Sequence, residues 1–67
     1  MVKEVIDFMG GTVETARKLG VHPAAVSQWI ASGAIPPKRA IQIERITQGA
    51  LRAIDIMGEE DRENGGA

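Results

Sequence analysis

Hydrophobic residues recur along this chain at helical spacing in separate blocks. Val2, Val5, Ile6 and Met9 stand three or four residues apart, so residues 2–9 read as a first helix with Phe8 as its bulky anchor. Gly10-Gly11 ends that block, and the Thr12 hydroxyl is placed to cap the next one. Over residues 12–19, Val13, Ala16 and Leu19 make one stripe, with Glu14, Arg17 and Lys18 on the other face. Gly20 falls where a helix should stop, since glycine enters the left-handed region without a side-chain penalty. His22-Pro23 restarts the chain, because proline at a first helical position gives up no hydrogen bond that the helix needs there. From 23 to 31 the apolar stripe is Val26, Trp29 and Ile30, facing away from Ala24, Ala25, Ser27 and Gln28. Two helices on so short a connection cannot run parallel; they must cross steeply and share a small core that includes Trp29.

Ser32 to Pro36 reads as a loop in which Gly33 supplies the turn and Pro36 pushes Ile35 toward an extended conformation. Residues 37–47 form the next helix, again opened by proline, with Ala40, Ile43, Ile46 and Thr47 on one side and Ile41 widening the apolar face. Gln48-Gly49 closes it. Residues 50–57 carry Leu51, Ile54, Ile56 and Met57 and read as a short fifth helix, a strand being the alternative. The closing GEEDRENGGA has charges, glycines and no apolar residue larger than alanine, so 58–67 is expected to be a disordered acidic tail behind a single domain, 1–57.

Composition narrows what such a domain could do. At 67 residues the chain is near the lower limit for a self-sufficient core, and with no cysteine it has no disulfide or thiolate metal site to staple it. No apolar run approaches the length of a membrane span, and the first ten residues lack a secretory pattern, so an intracellular, cytoplasmic protein is expected. One histidine and carboxylates scattered at 4, 7, 14, 44 and 55 offer neither a nucleophile–base pair nor a metal cluster. Gly10-Gly11 lacks the strand and further glycines of a phosphate-binding loop. An enzyme, a cofactor, a metal and a small-molecule substrate are therefore not expected. The formal net charge is −1, but its distribution is uneven. Residues 58–67 carry a net −3, whereas residues 1–57 hold seven bases against five acids, a net +2 that permits an anionic partner without demanding one.

The order small Ala16, turn Gly20, apolar Val21, apolar Val26 and apolar Trp29 looks like a DNA-binding helix-turn-helix. The wider string VIDFMGGTVETARKLGVHPAAVSQW, followed by IPPKRAIQIERITQGAL, resembles the Cro-like repressors of temperate phages and prophages, the YdaS-type proteins of bacterial genomes among them. The resemblance runs from about Val5 to Leu51. It implies an all-α, compact five-helix, lambda-repressor-like domain that represses transcription by occupying an inverted-repeat operator as a dimer.

In that reading the helix from 23 to 31 enters the major groove with its N-terminal end foremost. The candidates for base contact are then Gln28, Ser27, Ala24, His22, Pro23 and Ala25. Gln28 is the sharpest, since its amide can pair bidentately with adenine; Ser27 discriminates less, and Ala24, Ala25 or Pro23 could touch a thymine methyl. His22 could contact a base or phosphate, or serve only as the helix cap. Phosphate contacts are expected from Thr12 at a helix start, from Lys38 and Arg39, and more weakly from Arg17 and Lys18. Leu51, Ile54 and Met57 would either join two copies or cover the first helix. The same resemblance leaves open an antitoxin that binds a toxin and its own promoter. The low net charge leaves open a helical protein-interaction module that binds no DNA.

Overall fold

In the computed structural model, which describes residues 1–58, the chain forms five helices: α1 (Val2–Phe8), α2 (Thr12–Leu19), α3 (Pro23–Ser32), α4 (Pro37–Ile46) and α5 (Ala53–Ile56). The described residues contain no strand, only a single parallel bridge between Ile35 and Met57. α2 and α3 pack against one another most extensively; α1 lies across both, α4 rests on α2, and α5 rests on α4. Ile6, Val26, Ile35, Ala40 and Ile43 are fully enclosed, and Val2, Val5, Met9, Ala16, Leu19, Trp29, Ala53 and Ile56 close around them. Trp29 is thus a core residue, as its stripe predicts.

Some of the apolar residues assigned to the core face solvent instead. Phe8 is 62% exposed and Val13 72%, while Ile41 and Ile46 are also exposed. Each lies roughly a third of a turn from the centre of its helix's buried stripe, too far to reach a core this small. On α2 the place expected for Val13 is taken by Thr15, which is completely buried. Its hydroxyl donates to the Ile6 carbonyl at 3.5 Å, and the Gly11 amide donates to the same oxygen at 2.9 Å. That carbonyl belongs to the open end of α1, where helical partners have run out; the Gly11 amide closes it, and it in turn gives the buried Thr15 hydroxyl an acceptor.

Two boundaries also differ. Thr12 is the first residue of α2 and makes no side-chain cap; Gly11 occupies the capping position. The fifth helix begins at Ala53 and not Ala50, for a specific reason. The Thr47 hydroxyl accepts from the Leu51 amide at 3.2 Å and ties the chain into a turn, and only past it does the Glu44 carboxylate accept from the Ala53 amide at 2.7 Å and open α5. A side chain from α4 therefore supplies the cap that Arg52, the residue before α5, does not. The acidic segment 59–67 lies outside the described residues.

α4 ends with its last carbonyls closed by the Gln48 amide (to Arg45, 3.1 Å) and the Gly49 amide (to Glu44, 2.9 Å). This motif forces its first residue into the left-handed region, and here that residue is Gln48, at φ 54°. Gln48→Gly removes the side-chain penalty and leaves both hydrogen bonds. It is expected to stabilise the fold by about 0.5–1 kcal/mol, less than the full left-handed penalty because glycine also costs backbone entropy. Thermal unfolding should show Tm raised by about 2–8 °C; an unchanged or lower Tm would contradict the account.

Candidate nucleic-acid interface

The exposed face of α3 is set by how α2 stops. At Gly20 the backbone turns left-handed (φ 72°, ψ 33°). The Gly20 amide donates to Arg17 at 3.3 Å and the Val21 amide to Ala16 at 3.0 Å, which closes two of the open carbonyls and folds half-buried Val21 back onto the core. Nothing lies within 4 Å of where a side chain on Gly20 would begin, so the constraint there is backbone conformation and not space. His22 follows in an extended conformation, and its Nδ1 accepts from the Ala24 amide at 3.2 Å. Histidine acts as the N-cap and Pro23 begins the helix, so α3 starts at a fixed point three residues past Gly20.

From that start, Ala24, Ser27, Gln28 and Ala31 recur every three or four residues along one outward stripe, all exposed. Val26 and Trp29 point the other way into the core. Among the described residues, the Ser27 and Gln28 side chains make no hydrogen bond, so their polar groups are available. His22 and Pro23 are exposed at the leading end of the same face, whereas Ala25 is half-buried against the core. Ala31 completes the stripe one turn beyond Gln28 and is absent from the candidates read off the sequence, which stop at the leading end of the helix. Its spacing of seven from Ala24 was the available signal.

The basic residues are disposed less simply. Lys18 donates from Nζ to the Met9 carbonyl at 3.0 Å, closing the end of α1. Arg39 donates from Nη1 to the Leu19 carbonyl at 3.4 Å and to Gln42 Oε1 at 2.8 Å, and Gln42 Nε2 donates to the same Leu19 carbonyl at 3.1 Å. Both cations thus sit at carbonyl-rich helix ends, where positive charge is favoured. Arg17 is paired with Glu14 one turn earlier on α2. The Arg17 guanidinium holds the Glu14 carboxyl below the usual carboxylate range, and the carboxylate raises Arg17 in return. The contribution of this exposed pair is present above the ordinary glutamate range and lost as pH falls through the lowered value. Lys38 is exposed and unpaired among the described residues. Thr12 is half-buried at the opening of α2, where no side chain caps the free amides. Leu51 and Met57 are half-buried against the core, and Ile54 is 42% exposed. No helix of the described residues is long and apolar enough to cross a membrane.

Residues 2–62 match the family of the DNA-binding transcriptional regulator Cro. The chain is 46% identical to the regulatory protein Cro of Salmonella phage P22 over 50 residues, which is 75% of this chain and 79% of that protein. It is 35% identical over 60 residues to YdaS of Escherichia coli (strain K12), a proposed transcriptional regulator, covering 88% of this chain and 61% of that longer protein. No solved structure matches.

The turn itself can be tested without any ligand. Gly20→Ala should cost about 1–2 kcal/mol although no atom stands in the way of the new methyl, and Gly20→Asn should cost less, because asparagine tolerates the left-handed region. Denaturant unfolding of the two variants checks the order; equal or negligible losses would contradict a conformational constraint at Gly20.

Proposed function

The chain belongs to the Cro family of DNA-binding transcriptional regulators, and from that premise we propose that it represses transcription by occupying an inverted-repeat operator as a dimer, with α3 in the major groove. The observation that carries this reading is the outward stripe of α3. Small and polar side chains with no internal partner stand on a rigidly started helix, and nothing in the fold needs them there.

On this reading Gln28 is the principal base reader, its amide oxygen and nitrogen matching adenine N6 and N7, with Ser27 as a less selective neighbour. Ala24, Pro23 and Ala31 present apolar surface of the size that meets a thymine methyl, and Ala25 contributes at most its exposed edge. His22 stands at the groove entrance while holding the helix cap. Thr12 and the uncapped amides opening α2 offer one phosphate site, and Lys38 offers another. One helix reads only a few base pairs, so a pair of α3 helices about one duplex turn apart supplies the remaining specificity. Ile54 is the exposed apolar residue best placed to join two copies, flanked by Leu51 and Met57. The setting is the cytoplasm of a bacterial cell, free or phage-infected.

Selection of bound sequences from a random library, followed by titration at two salt concentrations, tests the whole reading: an inverted repeat should be enriched, and a folded protein that binds no duplex at low salt would sink it. Gln28→Ala should lose about 1–3 kcal/mol on the selected operator and much less on random DNA. Lys38→Ala should weaken both about equally and reduce the salt slope by about 1. Glu14→Gln frees Arg17 from its ion pair, so it should tighten binding to any duplex and steepen the dependence of log K on log salt by about 0.9.

A further inference from the structure

Gln42 lies on α4 and was not among the residues expected to matter for DNA. It nevertheless makes both of its possible kinds of hydrogen bond, accepting from Arg39 Nη1 at 2.8 Å and donating to the Leu19 carbonyl at 3.1 Å. Arg39 Nη1 reaches that same carbonyl at 3.4 Å. The three groups form a closed ring, half-buried, at the last residue of α2 and one residue before the turn that feeds α3.

A guanidinium has five N–H groups in a planar fork. The ring uses the two on Nη1. The Nε–H and the two on Nη2 have no acceptor among the described residues, and they form the edge with which arginine grips a phosphate bidentately. An unrestrained arginine must lose its rotamer freedom to present that edge; this one has already been fixed, with the amide of Gln42 setting the plane. Lys38, itself exposed and unpaired among the described residues, is its chain neighbour.

We propose that Gln42 is a positioning residue for DNA binding: it holds Arg39 so that the unused Nε–Nη2 edge meets a backbone phosphate of the duplex in which α3 is seated. This inference rests on the proposed DNA-binding role of α3. The ring also closes the end of α2, so the test must separate DNA affinity from stability. Gln42→Met keeps the side chain's length and removes its amide, Gln42→Glu keeps an acceptor for Arg39 but cannot donate to Leu19, and Arg39→Met removes the group acted upon.

Binding of the full chain to short random-sequence duplexes at low salt is the readout, with circular dichroism showing each variant folded at the assay temperature. Gln42→Met should weaken binding about three- to tenfold and flatten the salt slope by up to about 0.9, one phosphate contact's worth. Gln42→Glu should lose at least as much, because the carboxylate also neutralises the guanidinium. In the Arg39→Met background, Gln42→Met should cost nothing further, since the residue it positions is gone. Wild-type affinity and slope in both folded Gln42 variants would overturn the proposal, as would an undiminished loss in the Arg39→Met background. A wild-type protein that bound no duplex would remove the DNA reading itself, and this inference with it.

Discussion

The carbonyl groups at the C-terminal end of α2 must find partners, and the way they do so sets everything that α3 can present. Helices of seven to ten residues hold together through their neighbours and not through their own propensity. Their open ends form a large fraction of their backbone. At α2 the answer comes in two parts: Gly20 bends the chain so that two amides return to the last turn, and α4 reaches over with Arg39 and Gln42 to occupy the Leu19 carbonyl. The first part fixes where α3 begins, and the second ties that beginning to α4. The outward stripe from Ala24 to Ala31 is consequently held from both sides of the turn.

Much of this was legible in the chain because it rests on residues with narrow conformational meaning. Gly20, His22-Pro23 and Pro36-Pro37 punctuate the helices wherever they occur, and Trp29 at helical spacing from Val26 has little choice but the core. The misassignments share one cause. Phe8, Val13, Ile41 and Ile46 are hydrophobic, and a periodic reading puts hydrophobic residues inside; yet a domain this small has a stripe narrower than the apolar content of its helices, and the surplus is left outside. Thr15 is the converse case. A polar residue was passed over, because the carbonyl that lets its hydroxyl be buried is one that only the three-dimensional arrangement brings near. The start of α5 was illegible for a similar reason, since its cap is a glutamate nine residues away.

The charges illustrate the same limit at the candidate site. From the sequence, a basic pair in the first turn of α4 looks electrostatically misplaced, and a bound phosphate is one way to justify it. The fold supplies another: Arg39 leans on the negative end of α2, while Lys18 does the same for α1. Two of the cations thus sit where helix ends favour positive charge. A chain with formal net charge −1 that holds two of its cations in this way exerts a weak long-range field. A partner would be recognised mainly by contact at short range, with orientation of the few available cations counting for more than their number.

The bridge between Ile35 and Met57 has a consequence for how the molecule comes apart. With four residues α5 cannot persist as an isolated helix; it exists because Glu44 opens it and because Met57, just beyond it, lies alongside Ile35. The bridge to Ile35 joins residues distant along the chain, so its loop-closure entropy is met only after the other helices are in place, whereas the Glu44 cap reaches back nine residues. A segment held by so few ties is expected to dock late and open early, in a local equilibrium nested inside the global one. When it opens, Ala53 and Ile56 leave the core and the side of α4 that they cover meets water. The same end of the molecule carries exposed Ile54, so any second copy that held this surface would stabilise the closed arrangement of α5.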